Sequence, residues 1–305
     1  MKLGDVRKDA IELLKKTSPS PELDIDLIIS NVLNKNRTWI TFHRDEYIAQ
    51  EDFESIKKAT TQRLTGLPIA YITNKKEFYG YDFYVNQDVL IPKPDTELMI
   101  DLAINIIGQK MANHSNYIPT ICDMCTGSGC VGISILKTLH EIDNIQVAEL
   151  PKITMVDISQ KALCVAKKNS ESLLKQEMQE RISFLQSNLF DEIPYKFDLI
   201  VTNPPYIPHN EVLELLKDGR NEPILALDGD ILETGDYSNT NDGLELIRRL
   251  VPQAYDHLSP RGQLIMETGE YNAEEAAEIL KSTGFKDIKI EKDLAGQLRD
   301  VLGRK

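Results

Sequence analysis

From residue 119 onward, short apolar runs alternate with amphipathic stretches, and this alternation limits the fold more than any other feature of the chain. Residues 119–129 read as a strand opening into a glycine-bearing turn, and 152–157, 181–188 and 197–202 as further strands. Helical spacing occupies 131–139, the stretch capped by Ser159, 244–257 and 273–282, with strands again at 263–267 and 286–291. Such repetition implies an α/β architecture: a mostly parallel, doubly wound sheet whose ligands sit beyond the carboxyl ends of the strands. Asp123, Gly127, Asp157, Asn188 and Asn203 all fall on that edge.

The fourth strand runs without a loop into Asn203-Pro204-Pro205-Tyr206. Two prolines cannot continue a central strand, so it ends there. Proline also holds the residue before it extended, which fixes Asn203 and Pro204 before anything binds. The Asn203 side-chain carbonyl and the Pro204 backbone carbonyl can then face one target, with the Tyr206 ring available to stack beside it. Two fixed acceptors and a flat ring suit a planar NH2 group: a carboxamide, an adenine or a cytosine. Holding both N–H bonds orients a delocalised lone pair toward an electrophile, and positioning of that kind supplies about 7–11 kcal/mol.

Composition narrows the partners. The 305 residues, 41% hydrophobic and 27% charged, suit a large soluble domain with a smaller one. No apolar run approaches the roughly 18 residues of a membrane span, and the mixed charges of residues 1–9 are not those of a secretory signal, so a cytoplasmic location is expected. A net charge of −13 argues against a chain that grips a nucleic-acid backbone, and neither direct nucleic-acid binding nor a membrane is expected. Cys122 and Cys125 have zinc-like spacing, but no second pair or nearby His completes a site, so no metal is expected.

Residues 1–68 read as a small helical recognition domain, with a helix starting at Ser20-Pro21-Glu22 and another at 50–64. Residues 69–92, with Tyr71, Phe78, Tyr79, Tyr81, Phe83 and Tyr84 around Gly80, read as a β-hairpin linker. The catalytic domain would occupy 93–305 and open with a helix at 95–108.

The first strand-to-helix turn carries Gly127 and Gly129 but not a full G-x-G-x-x-G, and Asp157 ends the second strand, where a carboxylate can accept both hydroxyls of a ribose. That pair alone could belong to an NAD enzyme. Joined to the Asn-Pro-Pro-Tyr lip, which requires an electrophile, it points to S-adenosyl-L-methionine.

On these motifs the sequence resembles the PrmC/HemK protein-(glutamine-N5) methyltransferases, which modify the Gly-Gly-Gln motif of bacterial class-1 peptide chain release factors. Leu90-Ile-Pro-Lys-Pro-Asp-Thr-Glu97 is similar to the family's L-I-P-R-P-D-T-E, and Asp123-Met-Cys-Thr-Gly-Ser-Gly129 to its D-L-G-T-G-S-G. Residues 187–190, 203–208, Glu222-Pro223, Ala226-Leu227 and 292–296 match in order. The resemblance implies a Rossmann-like class I methyltransferase sheet with a small N-terminal helical domain. It implies cofactor contacts from Cys125, Thr126, Gly127, Ser128, Gly129, Asp157, Asn188, Leu189 and Asn203, leaving S-adenosyl-L-homocysteine as product. Asn203, Pro204, Pro205 and Tyr206 would hold the substrate glutamine. Lys93 stands where Arg is usual, losing a bidentate fork, and Cys125 where Gly is more usual. The run 228–242 is longer than the family's loop and reads as a flexible surface insertion.

The implied reaction is direct displacement at the methyl group by the amide nitrogen, with no metal or covalent intermediate. Three rivals stand beside it: a ribosomal-protein glutamine methyltransferase, an amino-methyltransferase of adenine or cytosine, and a non-catalytic cofactor-binding protein. A base-modifying enzyme normally needs a basic channel, which the acidity disfavours.

Overall fold

The computed structural model describes residues 1–113, 117–141, 145–217, 221–232 and 234–305. It forms two compact units, one of Met1–Lys75 with Glu214–Asn221 and one of Lys76–Leu213 with Glu222–Lys305.

The first unit carries α1 (Leu3–Leu14), α2 (Pro21–Leu33), α3 (Arg37–Phe42), α4 (Gln50–Leu64) and α5 (Ile69–Thr73). Pro21 opens α2, where its missing N–H is no loss, and Asn34 closes it in the left-handed conformation. Leu3, Leu14, Ile25, Ile29, Ile40 and Ile56 form its core. Two ion pairs tie the helices across sequence. Arg7 grips Asp26 through both Nε (2.6 Å) and Nη2 (3.1 Å), and Arg63 Nε donates to Asp24 at 2.6 Å.

The hairpin expected across 69–92 is confined to β1 (Lys76–Phe78) and β2 (Tyr81–Phe83). Tyr71 lies in α5 instead. Pro68 precedes that helix and Asn74, with φ 53°, stops it, so the aromatic spacing does not mark a strand.

The second unit is built on β3 (Thr120–Met124), β4 (Lys152–Asp157), β5 (Ile182–Gln186), β6 (Phe197–Thr202), β7 (Leu258–Glu267), β8 (Lys286–Lys292) and β9 (Leu298–Arg304), in the order β5-β4-β3-β6-β7-β9-β8. The strands from β5 to β7 pair in parallel; β9 runs antiparallel between β7 and β8. The order reverses between β3 and β6, which is where an open α/β sheet leaves a crevice. Around the sheet lie α6 (Glu97–Asn113), α7 (Cys130–Glu141), α8 (Gln160–Leu173), α9 (Gln176–Gln179), α11 (Glu245–His257) and α12 (Ala273–Thr283), while α10 (His209–Leu216) begins in this unit and ends in the first.

Alternation along the strands sends neighbours to opposite faces. Ile121, Leu199 and Val201 join Met99, Ile100, Ile133 and Leu136 in one core; Cys122, Ile200 and Leu264 join Ile247, Leu250, Ala254 and Leu280 in the other. With both faces covered, β6 reads as a continuous apolar run broken only by Asp198 and Thr202, and all six of its residues are buried. Asp198 is satisfied at the amino end of the sheet: Thr120 N–H (2.9 Å), Tyr117 Oη (2.9 Å) and Lys110 Nζ (3.0 Å) all donate to it.

The structure departs from the sequence reading at several points, among them the start of β7, at Leu258 and not 263. Helix α6 continues past Gly108, because an isolated helical glycine costs only about 1 kcal/mol and its neighbours bury Met99, Ile100, Ala103 and Ile107. The final strand β9 was not foreseen, since the buried Arg299 and Asp300 interrupt its apolar pattern.

Candidate active site

The carboxyl ends of β3, β4 and β6 open into a cavity of about 460 Å³, lined among others by Cys125, Thr126, Gly127, Ser128, Asp157, Asn188, Leu189, Asn203 and Pro205. Its volume suits a small-molecule ligand.

Beyond β3 the backbone enters the left-handed region at Cys125 (φ 60°), Gly127 (φ 55°) and Gly129 (φ 78°). The two glycines do different work. A Cβ on Gly127 would meet no protein atom nearer than Cys125 O at 4.0 Å, so the backbone here faces open cavity space. A Cβ on Gly129 would lie 3.1 Å from Ala166 Cβ and 3.1 Å from Ile133 Cδ1, so this glycine lets helices close on the turn and is not part of the cavity wall. Beneath the turn Asp123 accepts hydrogen bonds from Thr126 Oγ1 (2.7 Å) and Gly132 N–H (3.0 Å). Burial pushes its carboxyl up to about 7 despite those two donors.

Asp157 is held by Gly127 N–H on Oδ2 and Ser159 N–H on Oδ1, both at 2.9 Å. Burial raises its pKa, and the backbone donors of Ser159 and Gly127 oppose that rise. Each oxygen keeps acceptor capacity for a second donor on the cavity side. Asn188 is approached by Arg249 Nη2 of α11 at 3.5 Å. Arg249 and Leu246 border the cavity although nothing in their helical spacing distinguished them from packing residues.

At the end of β6, Asn203 donates through Nδ2 to Thr96 Oγ1 at 3.2 Å. Thr96 closes the 3-10 turn Pro94–Thr96 and is 3% exposed. Tyr206 does not stand in the cavity as a stacking ring. It packs into the apolar core of that face, its hydroxyl donates to Glu267 Oε1 at 3.2 Å, and its backbone carbonyl accepts from Asn272 Nδ2 at 3.1 Å. Burial raises its pKa, with the charge of Glu267 adding to the effect. Pro204 is likewise buried away from the cavity wall.

Thr96 and Glu267 escaped the sequence reading. Thr96 lies inside a matched motif yet looks like a helix-start residue, and Glu267 ends its strand as Asp157 ends another. Lys93 is placed by an ion pair: its Nζ lies 2.8 Å from Glu222 Oε1, which also accepts from Ile91 N–H at 3.3 Å.

The run 228–242 is not a loose surface insertion throughout. Asp228, Gly229 and Asp230 are buried and Ile207 bridges Asp228 as a short parallel pair. Asp230 accepts from Gly243 N–H (2.9 Å) and His209 N–H (3.0 Å), and Asp228 accepts from His209 Nδ1 at 2.5 Å. The acidic residues that suggested a solvated loop are consumed by backbone donors at the base of the excursion. Beyond that base, Ile231, Leu232 and Gly235 border the cavity.

Among the described residues, no helix is long and apolar enough to cross a membrane. The reversed sheet order, the open glycine turn and the carboxylate at the end of the neighbouring strand, joined to Asn203 on the same cavity wall, are those of an S-adenosylmethionine-dependent methyltransferase of the Rossmann-like class I type.

Comparison with known proteins takes this further. Residues 5–73 match the PrmC N-terminal domain and residues 97–222 the methyltransferase small domain. A release factor glutamine methyltransferase from Leptospira interrogans is 36% identical, covering 97% of this chain and 96% of that protein. One from Clostridium acetobutylicum is 33% identical over 99% of this chain and 98% of that protein. A longer bifunctional methyltransferase from Rickettsia typhi is 34% identical over 92% of this chain and 53% of its own length. Among solved structures, the hMettl16 catalytic domain in complex with the MAT2A 3'UTR hairpin 6 shares the fold, with a TM-score of 0.53 at 14% identity over 80% of this chain and 81% of that one. The chain belongs to the release factor glutamine methyltransferase family.

Proposed function

We propose that this protein transfers a methyl group from S-adenosylmethionine to the side-chain amide nitrogen, N5, of the glutamine in the Gly-Gly-Gln motif of class-1 peptide chain release factors. The observation that carries the reading is the position of Asn203: an amide on the wall of the same cavity that Gly127 and Asp157 line, at the carboxyl end of the adjacent strand.

When bound, the cofactor supplies an electrophilic methyl group. The chain's own residues bind and orient. Asp157 accepts hydroxyl hydrogens with the capacity its two backbone donors leave free. Residues 125–128 bring backbone close to the ligand where Gly127 leaves room for it, and Asn188 and Leu189 border the cavity beside them. Asn203 Oδ1, on the cavity wall, accepts a hydrogen of the substrate amide and aims its lone pair. Accepting that bond also draws charge onto the nitrogen, which counts for less than placement. An amide nitrogen that gained the methyl would be acidic enough to release its proton to water, so no strong base is needed among the residues that hold it. Release factors work at the ribosome, and this reading therefore places the protein in the cytoplasm.

The test is incubation with labelled S-adenosylmethionine and a purified release factor, followed by mass spectrometry of the peptide that contains Gly-Gly-Gln. One added methyl on the glutamine is expected. Transfer to DNA, or to a ribosomal protein alone, would overturn the assignment.

A further inference from the structure

Part of the cavity wall comes from a stretch that the sequence reads as linker. Residues of the segment 87–92, which follows β2, border the cavity together with the 125–128 turn. One side chain with no exposed surface, Asn169 of α8, bonds both to Tyr84, just ahead of that segment, and to the turn itself.

Asn169 Oδ1 accepts from Tyr84 N–H at 2.7 Å, and Nδ2 donates to Tyr84 O at 3.0 Å and to Ser128 O at 2.8 Å. These partners fix which way the amide points. A backbone N–H only donates and a carbonyl only accepts, so the flipped arrangement would set donor against donor and acceptor against acceptor. On Tyr84 the amide makes the pair of bonds that a neighbouring strand would make, and its remaining hydrogen goes to the turn. Ala166 lies one helical turn earlier on the same face of α8, where a Cβ on Gly129 would come within 3.1 Å of the Ala166 Cβ. Helix α8 therefore meets the turn twice, by close packing at Gly129 and by a hydrogen bond at Ser128.

Other contacts to the segment do less. Lys161 Nζ lies 3.6 Å from Asp88 Oδ1, but the lysine is largely exposed and such a pair contributes little. Lys168 Nζ stands 3.2 Å from the centroid of the Tyr84 ring, which holds the side chain and not the backbone. Neither contact includes a residue of the turn.

We propose that Asn169 is a positioning residue for the cofactor: by bonding Tyr84 and Ser128 at once, it fixes the spacing between the 84–92 segment and the glycine turn and makes that segment part of the cofactor site. A cavity already held at the width of its ligand loses no affinity to the ordering of its walls. Without Asn169 the two segments must be brought together at each binding event, so affinity falls while the chemistry of the bound cofactor is untouched. This rests on the cofactor of the function proposed above and not on its substrate, so the two can fail separately.

Calorimetric titration with S-adenosylhomocysteine is the first test. Asn169→Ala should bind about tenfold more weakly, the size of one or two lost hydrogen bonds. Asn169→Leu, which keeps the bulk and removes the bonds, should bind as weakly as Asn169→Ala. With release factor as substrate, both variants should show a raised KM for cofactor and a kcat close to wild type once cofactor saturates. A purely structural role would instead lower kcat through the folded fraction and leave that KM unchanged. Hydrogen exchange on wild-type protein decides the matter should neither variant fold: S-adenosylhomocysteine should slow exchange in residues 84–92 as well as in 125–129. Native affinity in Asn169→Ala or Asn169→Leu, an unchanged KM for cofactor, or protection confined to 125–129 would overturn the proposal. If wild-type protein methylates no release factor, the functional reading falls, and calorimetry and exchange still decide the role of Asn169.

Discussion

Gly243 lies against Tyr206 so closely that a Cβ at position 243 would sit 2.1 Å from the Tyr206 carbonyl oxygen. Gly229 approaches the same residue, with a Cβ there falling 2.8 Å from Tyr206 Cα. The backbone that follows Asn203 and the two prolines is thus clasped by the two ends of a segment that begins and finishes at glycines.

Gly243→Ala should therefore displace the lip. The residue has φ +72°, so alanine adds backbone strain to the overlap, and a loss of about 2 kcal/mol or more in folding stability is expected, accompanied by a fall in turnover. Thermal unfolding and steady-state kinetics check both. An alanine variant with native activity would show that the lip does not depend on this clasp.

Asp157→Ala should act on the cofactor. Losing a charged acceptor for hydroxyl groups is expected to weaken binding by roughly 1.5–3 kcal/mol. Calorimetric titration with S-adenosylhomocysteine measures this directly, and equal affinity would remove Asp157 from the cofactor site.

Asp198 sets a pH dependence of stability remote from the cavity. Burial would raise its pKa, but Thr120 N–H, Lys110 and Tyr117 outweigh that and hold it below the ordinary 3.8. Between the folded and unfolded values the unfolded chain binds more protons, so the stabilisation is present above about pH 4 and disappears as pH falls through the lower, folded value. Asp198→Asn should flatten the acid limb of the stability curve and, by leaving Lys110 without its partner, destabilise the fold at neutral pH by about 3 kcal/mol. Urea unfolding at a series of pH values tests it; an unchanged acid limb would contradict it.

Legibility followed the physics of burial. β3, β4 and β6 were readable because strands covered on both faces must be apolar almost throughout, and the proline pair marked where β6 stops. β9 was not, because Arg299 and Asp300 are charged residues buried inside it: Arg299 is held by Asp293, and neither side-chain oxygen of Asp300 has a hydrogen-bond partner. The same reason hid the base of the 228–242 segment, where Asp228 and Asp230 accept backbone and His209 hydrogens from positions far along the chain. In the site, the cavity-bordering residues of the 125–128 turn, Asp157 and Asn203 lay in motifs, whereas Leu246 and Arg249 did not. Thr96 meets Asn203 and Glu267 meets Tyr206 across long stretches of chain, and a sequence does not show which residues meet. Tyr206 was read as a free ring because its hydroxyl partner, Glu267, lies 61 positions away.

In the proposed reaction Asn203 serves turnover, by holding the substrate amide, more than it serves cofactor affinity. The most direct measurement compares wild type with Asn203→Ala in two assays: calorimetric titration with cofactor product, and methyl transfer to the release-factor glutamine followed by mass spectrometry. The account predicts near-native cofactor affinity with most of the turnover lost. Unchanged turnover in the variant would contradict it.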